Sequence, residues 1–98
     1  MKVRWSKLAL EDLDDIGKYI ASDNPERATS FIMELLDLGD SLATPGMAEK
    51  GTSAKWAKDP NIRELYYGSY AIIYEVLQDI VMIHEVHHSA RIFRHFIR

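Results

Sequence analysis

Along the first forty positions apolar residues recur at helical spacing; beyond position 60 they crowd into short runs rich in β-branched and aromatic side chains. The opening "KVRW" alternates Val3 and Trp5 against Lys2 and Arg4, the period of a β-strand. Ala9, Leu13, Ile16 and Ile20 then fall on one face of a helix, and Ser6 before them is a suitable N-cap. In "SDNPERA" a first helix ends and a second begins: Asn24 can cap, Pro25 suits the first helical position and Glu26 favours its positive end. Ala28, Phe31, Ile32, Leu35 and Leu42 carry the second apolar stripe until Pro45-Gly46 stops it. The following "MAEKGTSAKWAKDP" has no period and reads as a loop.

Three runs come next, "IRELYY", "YAIIYEVL" and "IVMIHEVH", separated by Gly68-Ser69 and Gln78-Asp79. Gaps of two residues suit tight hairpins, so the runs form an antiparallel meander. The last ten residues, "SARIFRHFIR", can form a short helix capped by Ser89. The fold expected is α+β: an N-terminal strand, a two-helix hairpin and a three-stranded meander completing one small sheet. The helices bury their stripes on one sheet face, and the opposite face is expected to be free for function.

With 98 residues, of which 47% are hydrophobic and 28% charged, the chain is one domain, 1–98, with a real core. It has no cysteine, which excludes disulfides, thiolate catalysis and cysteine-based metal sites, and which fits a cytoplasmic protein. No run suits a membrane span or a signal peptide. The net charge of −3 divides unevenly: residues 1–49 hold 5 Lys/Arg against 10 Asp/Glu, and residues 50–98 hold 7 against 5 together with all four histidines. A broad electrostatic grip on nucleic acid is therefore not expected, whereas a local basic site in the second half is.

In a regular strand His84 and His88 point one way and His87 the other, and nothing resembles H-E-x-x-H; no metal and no cofactor is expected. Ser69 and Ser89 lack a nucleophile elbow, and Gly46 and Gly51 do not make a phosphate-cradling loop. Arginine with histidine is the more promising chemistry. Arg63 on the first meander strand and Arg91 after the last can flank His87 or His88, with Arg holding phosphate and His exchanging a proton. The competing reading is a structural ion pair of Arg63 with Glu75 or Glu85.

Read together, "W…A…DL…I..YIA..NPERA..F" and "NIREL…Y.IIYEV….V.IHEVHH.AR" resemble the RelE/ParE superfamily of toxin–antitoxin toxins, of the plasmid stabilisation type, from about Trp5 to Arg91. The resemblance implies a cognate antitoxin as partner and one of two activities: cutting mRNA on the ribosome, as RelE-like mRNA interferases do, or poisoning DNA gyrase, as ParE-like gyrase inhibitors do. The RelE-type pattern calls for basic residues where this chain has Ile62, Glu64 and Ala71, none of which can stabilise phosphate charge. A substitute set of His87, His88, Arg91 and His95 would have to serve instead. The resemblance therefore points to the ParE-like branch, a protein acting by binding rather than hydrolysis. Arg63, His88 and Arg91 are then the candidates for contacting a target or phosphate. Exposed apolar residues, among them Tyr19, Phe31 and Leu35, are the candidates for the antitoxin. A decayed toxin that only binds its antitoxin is a third reading.

Overall fold

The structure, a computed structural model, describes residues 1–53 and 58–89. In chain order they form β1 (Lys2–Trp5), α1 (Lys7–Ala21), α2 (Pro25–Asp40), a 3-10 turn (Ser41–Ala43), β2 (Thr52–Ser53), β3 (Ile62–Tyr67), β4 (Tyr70–Val76) and β5 (Ile80–His88). The helix at the C-terminus expected from the sequence lies outside the described residues.

Both helices start where the capping residues place them. Ser6 Oγ accepts the Ala9 N–H at 2.9 Å, and Asn24 Oδ1 accepts the Arg27 N–H at 3.1 Å, with Pro25 in the first turn of α2. Each cap satisfies a backbone donor that the helix itself leaves unpaired. The stripe residues Ala9, Leu13, Ile16, Leu35 and Leu42 then bury against Ile72, Tyr74, Val81, Ile83 and Val86 of the sheet. This cluster is the core.

The sheet has the order β1-β5-β4-β3-β2. The meander β3-β4-β5 is antiparallel with both two-residue turns in the expected places, and Gly68 takes the positive φ its turn requires. Two pairings were not visible in the sequence. β1 lies parallel to β5, with Val3 beside Val81 and Trp5 beside Ile83. The segment expected to be featureless loop contains β2, antiparallel to β3 at Thr52–Glu64 and Ser53–Arg63.

Tyr74 explains why that loop is held. Its hydroxyl, fully buried, donates to the Ala48 carbonyl at 2.7 Å and accepts the Gly51 N–H at 3.2 Å, and burial pushes its pKa up. A Cβ on Gly51 would sit 2.1 Å from that oxygen, so only glycine admits the contact. Arg63 adds a third link, donating to the Gly51 carbonyl at 3.0 Å. Tyr74→Phe leaves two buried backbone groups without their partner, and a loss of about 1–3 kcal/mol is expected in a urea melt. A loss under about 0.5 kcal/mol would mean water replaces the hydroxyl at no cost.

The sheet face away from the helices departs from expectation. Residues paired across strands share a face, which groups Ile62, Glu64, Ala71, Ile73, Glu75 and Glu85 opposite the core. Of these, Ala71 and Ile73 are fully buried, and Ile62, Glu64 and Glu85 nearly so. The far face is thus not the open surface expected.

Candidate functional site

The histidines and their acidic neighbours gather where β5 runs past the end of β1. Beyond Trp5 the chain turns into α1: the Ser6 N–H donates to the Ile83 carbonyl and its hydroxyl to the His84 carbonyl. Among the described residues, no strand pairs with the β5 edge further on. Asp12 of α1 takes that place, its Oδ2 accepting the Val86 N–H at 2.9 Å.

A β-bulge reorganises the side chains here. Ile73 pairs with Glu85 but Tyr74 pairs with Ile83, which makes His84 the extra residue of the bulge. The bulge reverses the alternation. His84 therefore shares the far face with Glu85 and His87, while His88 pairs with Tyr70 and meets its ring edge-on, centroids 5.5 Å apart. The expectation that His84 and His88 point together, with His87 opposed, is corrected; it assumed an unbroken strand.

On the far face His84 Nε2 lies 2.8 Å from Glu75 Oε1, His87 Nε2 contacts the buried Glu85 carboxylate, and Asp12 Oδ2 is 3.9 Å from His87. The donor atoms of Asp12, Glu85 and His87 all lie within 4.8 Å of one another. These carboxylates and imidazoles fasten α1 and β4 to β5. Glu64, Glu75 and Glu85 place carboxylates on this face, Glu64 at one of the positions where the ribonuclease pattern calls for a cation, and Tyr66 donates to Glu64 at 2.8 Å.

Arg63 stands apart from this group. It pairs with Tyr74 at the far end of β4 and points to the helix side, bonding the Gly51 carbonyl rather than Glu75 or Glu85. His87 and His88 pair with Ala71 and Tyr70 at the opposite end of that strand. Arg63 and the histidines therefore do not converge. Arg91 and His95 lie outside the described residues.

The three apolar candidates for a partner separate by burial. Tyr19, at the C-terminal end of α1, is 74% exposed. Phe31 is half-buried, stacked among Tyr67 and Tyr70 at centroid distances of 5.6 and 5.5 Å with the Arg27 guanidinium 5.1 Å above its ring. Arg27 in turn grips Glu34 at 2.7 Å, and Tyr67 donates to the same carboxylate. The Arg27 guanidinium, then the Tyr67 hydroxyl, hold the Glu34 carboxyl below its ordinary pKa. Leu35 is fully buried in the core, which corrects its reading as a surface residue: its stripe faces the sheet. What the sequence missed is an outward groove between the helices, lined by Leu10, Gly17, Ala21, Ala28, Ile32 and Leu36, with Leu10 half exposed. The signal was present in the spacing of small residues Gly17, Ala21 and Ala28, which lets the helices approach and leaves a trough.

The family model for the ParE toxin of the type II toxin–antitoxin system parDE matches residues 3–93, so the chain belongs to the ParE toxin family. A similar curated protein is the candidate toxin Y4kP of Sinorhizobium fredii (strain NBRC 101917 / NGR234), 28% identical over 88 residues, covering 88% of this chain and 86% of that protein. Among solved structures, a chain of the chromosomal ParDE TA system from P. aeruginosa superposes with a TM-score of 0.75 at 20% identity, covering 90% of this chain and 95% of that one. That likeness is one of fold. Among the described residues no helix is long and apolar enough to cross a membrane.

Proposed function

We propose that this ParE-family toxin arrests growth by binding and poisoning DNA gyrase in the cytoplasm, and that a cognate antitoxin neutralises it. The observation that carries the choice of target is the far face of the sheet. Ile62, Glu64 and Ala71, where the ribonuclease pattern needs cations, are buried and apolar or acidic. Cleaving a phosphodiester calls for positive groups where charge develops, and this surface supplies the opposite sign. Binding a protein target needs no such set. His88, with Arg91 beyond it, is the candidate contact at the exposed end of β5, and Arg63 serves the fold through Gly51. For the antitoxin, Tyr19, Phe31 and the outward groove between the helices suit an amphipathic helix.

The test is controlled expression of the wild type beside a His88→Ala/Arg91→Ala double variant, reading mRNA integrity and DNA supercoiling separately. Arrest with intact mRNA and with relaxed or broken DNA is the expected result, weakened in the variant. Codon-phased mRNA cleavage lost in the variant would replace this reading with a nuclease using the rearranged set His87, His88, Arg91 and His95. Absence of arrest in the wild type would leave an inactive antitoxin-binding remnant.

A further inference from the structure

Three metal-ligating side chains from two elements meet beside the later part of β5. Asp12 comes from α1, while Glu85 and His87 come from β5, two residues apart and so on one face of the strand. One donor atom from each, two carboxylate oxygens and an imidazole nitrogen, lies within 4.8 Å of the other two, and His87 Nε2 stands 3.9 Å from Asp12 Oδ2. Ligands held about 2.0–2.2 Å from a zinc ion stand roughly 3–3.5 Å from one another. Side-chain adjustments of about 1 Å therefore bring all three donors to one ion.

The surroundings suit an ion that is held. The Asp12, Glu85 and His87 side chains are 13%, 2% and 11% exposed, so the charges act through little water while the rim still admits an ion. The Val86 N–H, bonded to Asp12 Oδ2 at 2.9 Å, is the kind of outer hydrogen bond that orients a ligating carboxylate. Among these three groups a protonated imidazole offers one positive charge to two carboxylates, whereas a divalent cation with a neutral imidazole matches both. The donor set also selects the ion. Imidazole with carboxylates suits zinc and similar transition ions, while calcium and magnesium prefer oxygen ligands alone.

We propose that Asp12, Glu85 and His87 form a binding site for a divalent transition ion of the zinc type, which clasps α1 to β5. The ion replaces the hydrogen bond between His87 and Glu85 with two bonds to metal and takes Asp12 as its third protein ligand. It joins the helical hairpin to the sheet between residues far apart in the chain, so binding and folding stability are linked. The proposal stands whether or not gyrase is the target.

The test adds zinc to the full chain, first freed of metal with EDTA, and runs magnesium in parallel. Calorimetry reads binding, a thermal melt reads stability, and NMR reads the imidazole and amide signals. Expected are one equivalent of zinc bound at micromolar concentration, shifts at the His87 ring and the Val86 amide, and no such response to magnesium. The melting temperature should rise by roughly 5–15 °C at a hundredfold excess of zinc over Kd. Asp12→Asn keeps an oxygen for the Val86 N–H but loses the charge, and His87→Gln removes the imidazole. Each variant, checked by its melt to be folded, should bind zinc at least about tenfold more weakly. No stoichiometric binding, shifts centred on His84 or His88 in place of His87, an equal response to magnesium, or undiminished affinity in a folded variant would each overturn the proposal. The wild-type calorimetry and imidazole signals decide the point by themselves should a variant not fold.

Discussion

Gly39→Ala is expected to destabilise the protein by about 2 kcal/mol, although alanine is the better helix former by about 1 kcal/mol. Gly39 is the penultimate residue of α2 and is buried. A Cβ there would come 2.3 and 2.6 Å from two ring carbons of Trp5 and 3.0 Å from Ile83 Cδ1. These distances are far inside van der Waals contact. The ring cannot simply swing aside, because its indole N–H is bonded to Asp40 and its other flank joins the core. Replacing Trp5 with leucine should make room, so the Trp5→Leu/Gly39→Ala pair should lose less than the sum of its single losses. Urea melts of the two single variants and the pair decide the point. An alanine variant as stable as the wild type would mean that Trp5 does not lie across α2.

The largest loss is expected from Leu35→Ala, about 2–5 kcal/mol, through the apolar contacts removed and the cavity left at the centre of the core. A domain of this size has about 5–15 kcal/mol in all, so the variant should be close to unfolding at physiological temperature. Tyr19→Ala on the same hairpin should change stability by no more than about 0.5 kcal/mol, since its ring is mostly in solvent. The contrast separates a residue that builds the domain from one available to a partner. If Leu35→Ala melts like the wild type, the stripe of α2 does not face the sheet, and the core assignment fails with it.

The local elements of this protein were legible in its sequence. Ser6, Asn24 and Pro25 mark helix starts because capping is chemistry between neighbouring residues, and the structure uses each as expected. Gly68-Ser69 and Gln78-Asp79 fix the meander for the same reason, since a two-residue turn dictates its own pairing. The resemblance in the residue pattern led to the family. Glu85 and His87 were in view as residues, but their arrangement was not.

What only the tertiary structure decided is everything that joins distant segments. The parallel seat of β1 beside β5 brings together residues almost eighty positions apart, and no local pattern encodes such a pairing. The bulge at His84 exists only against β4, yet it sets which face every later side chain of β5 occupies. Asp12 could be read as a solvated helix residue until α1 was placed beside the later part of β5, where its carboxylate meets the Val86 amide. Leu35 and Tyr19, both apolar residues of one hairpin, differ only in which side of it meets the sheet. Capping and turn energies act over a few residues and so can be read along the chain. Burial and strand register are properties of the assembled sheet, and they determined which of the candidate residues can reach a partner.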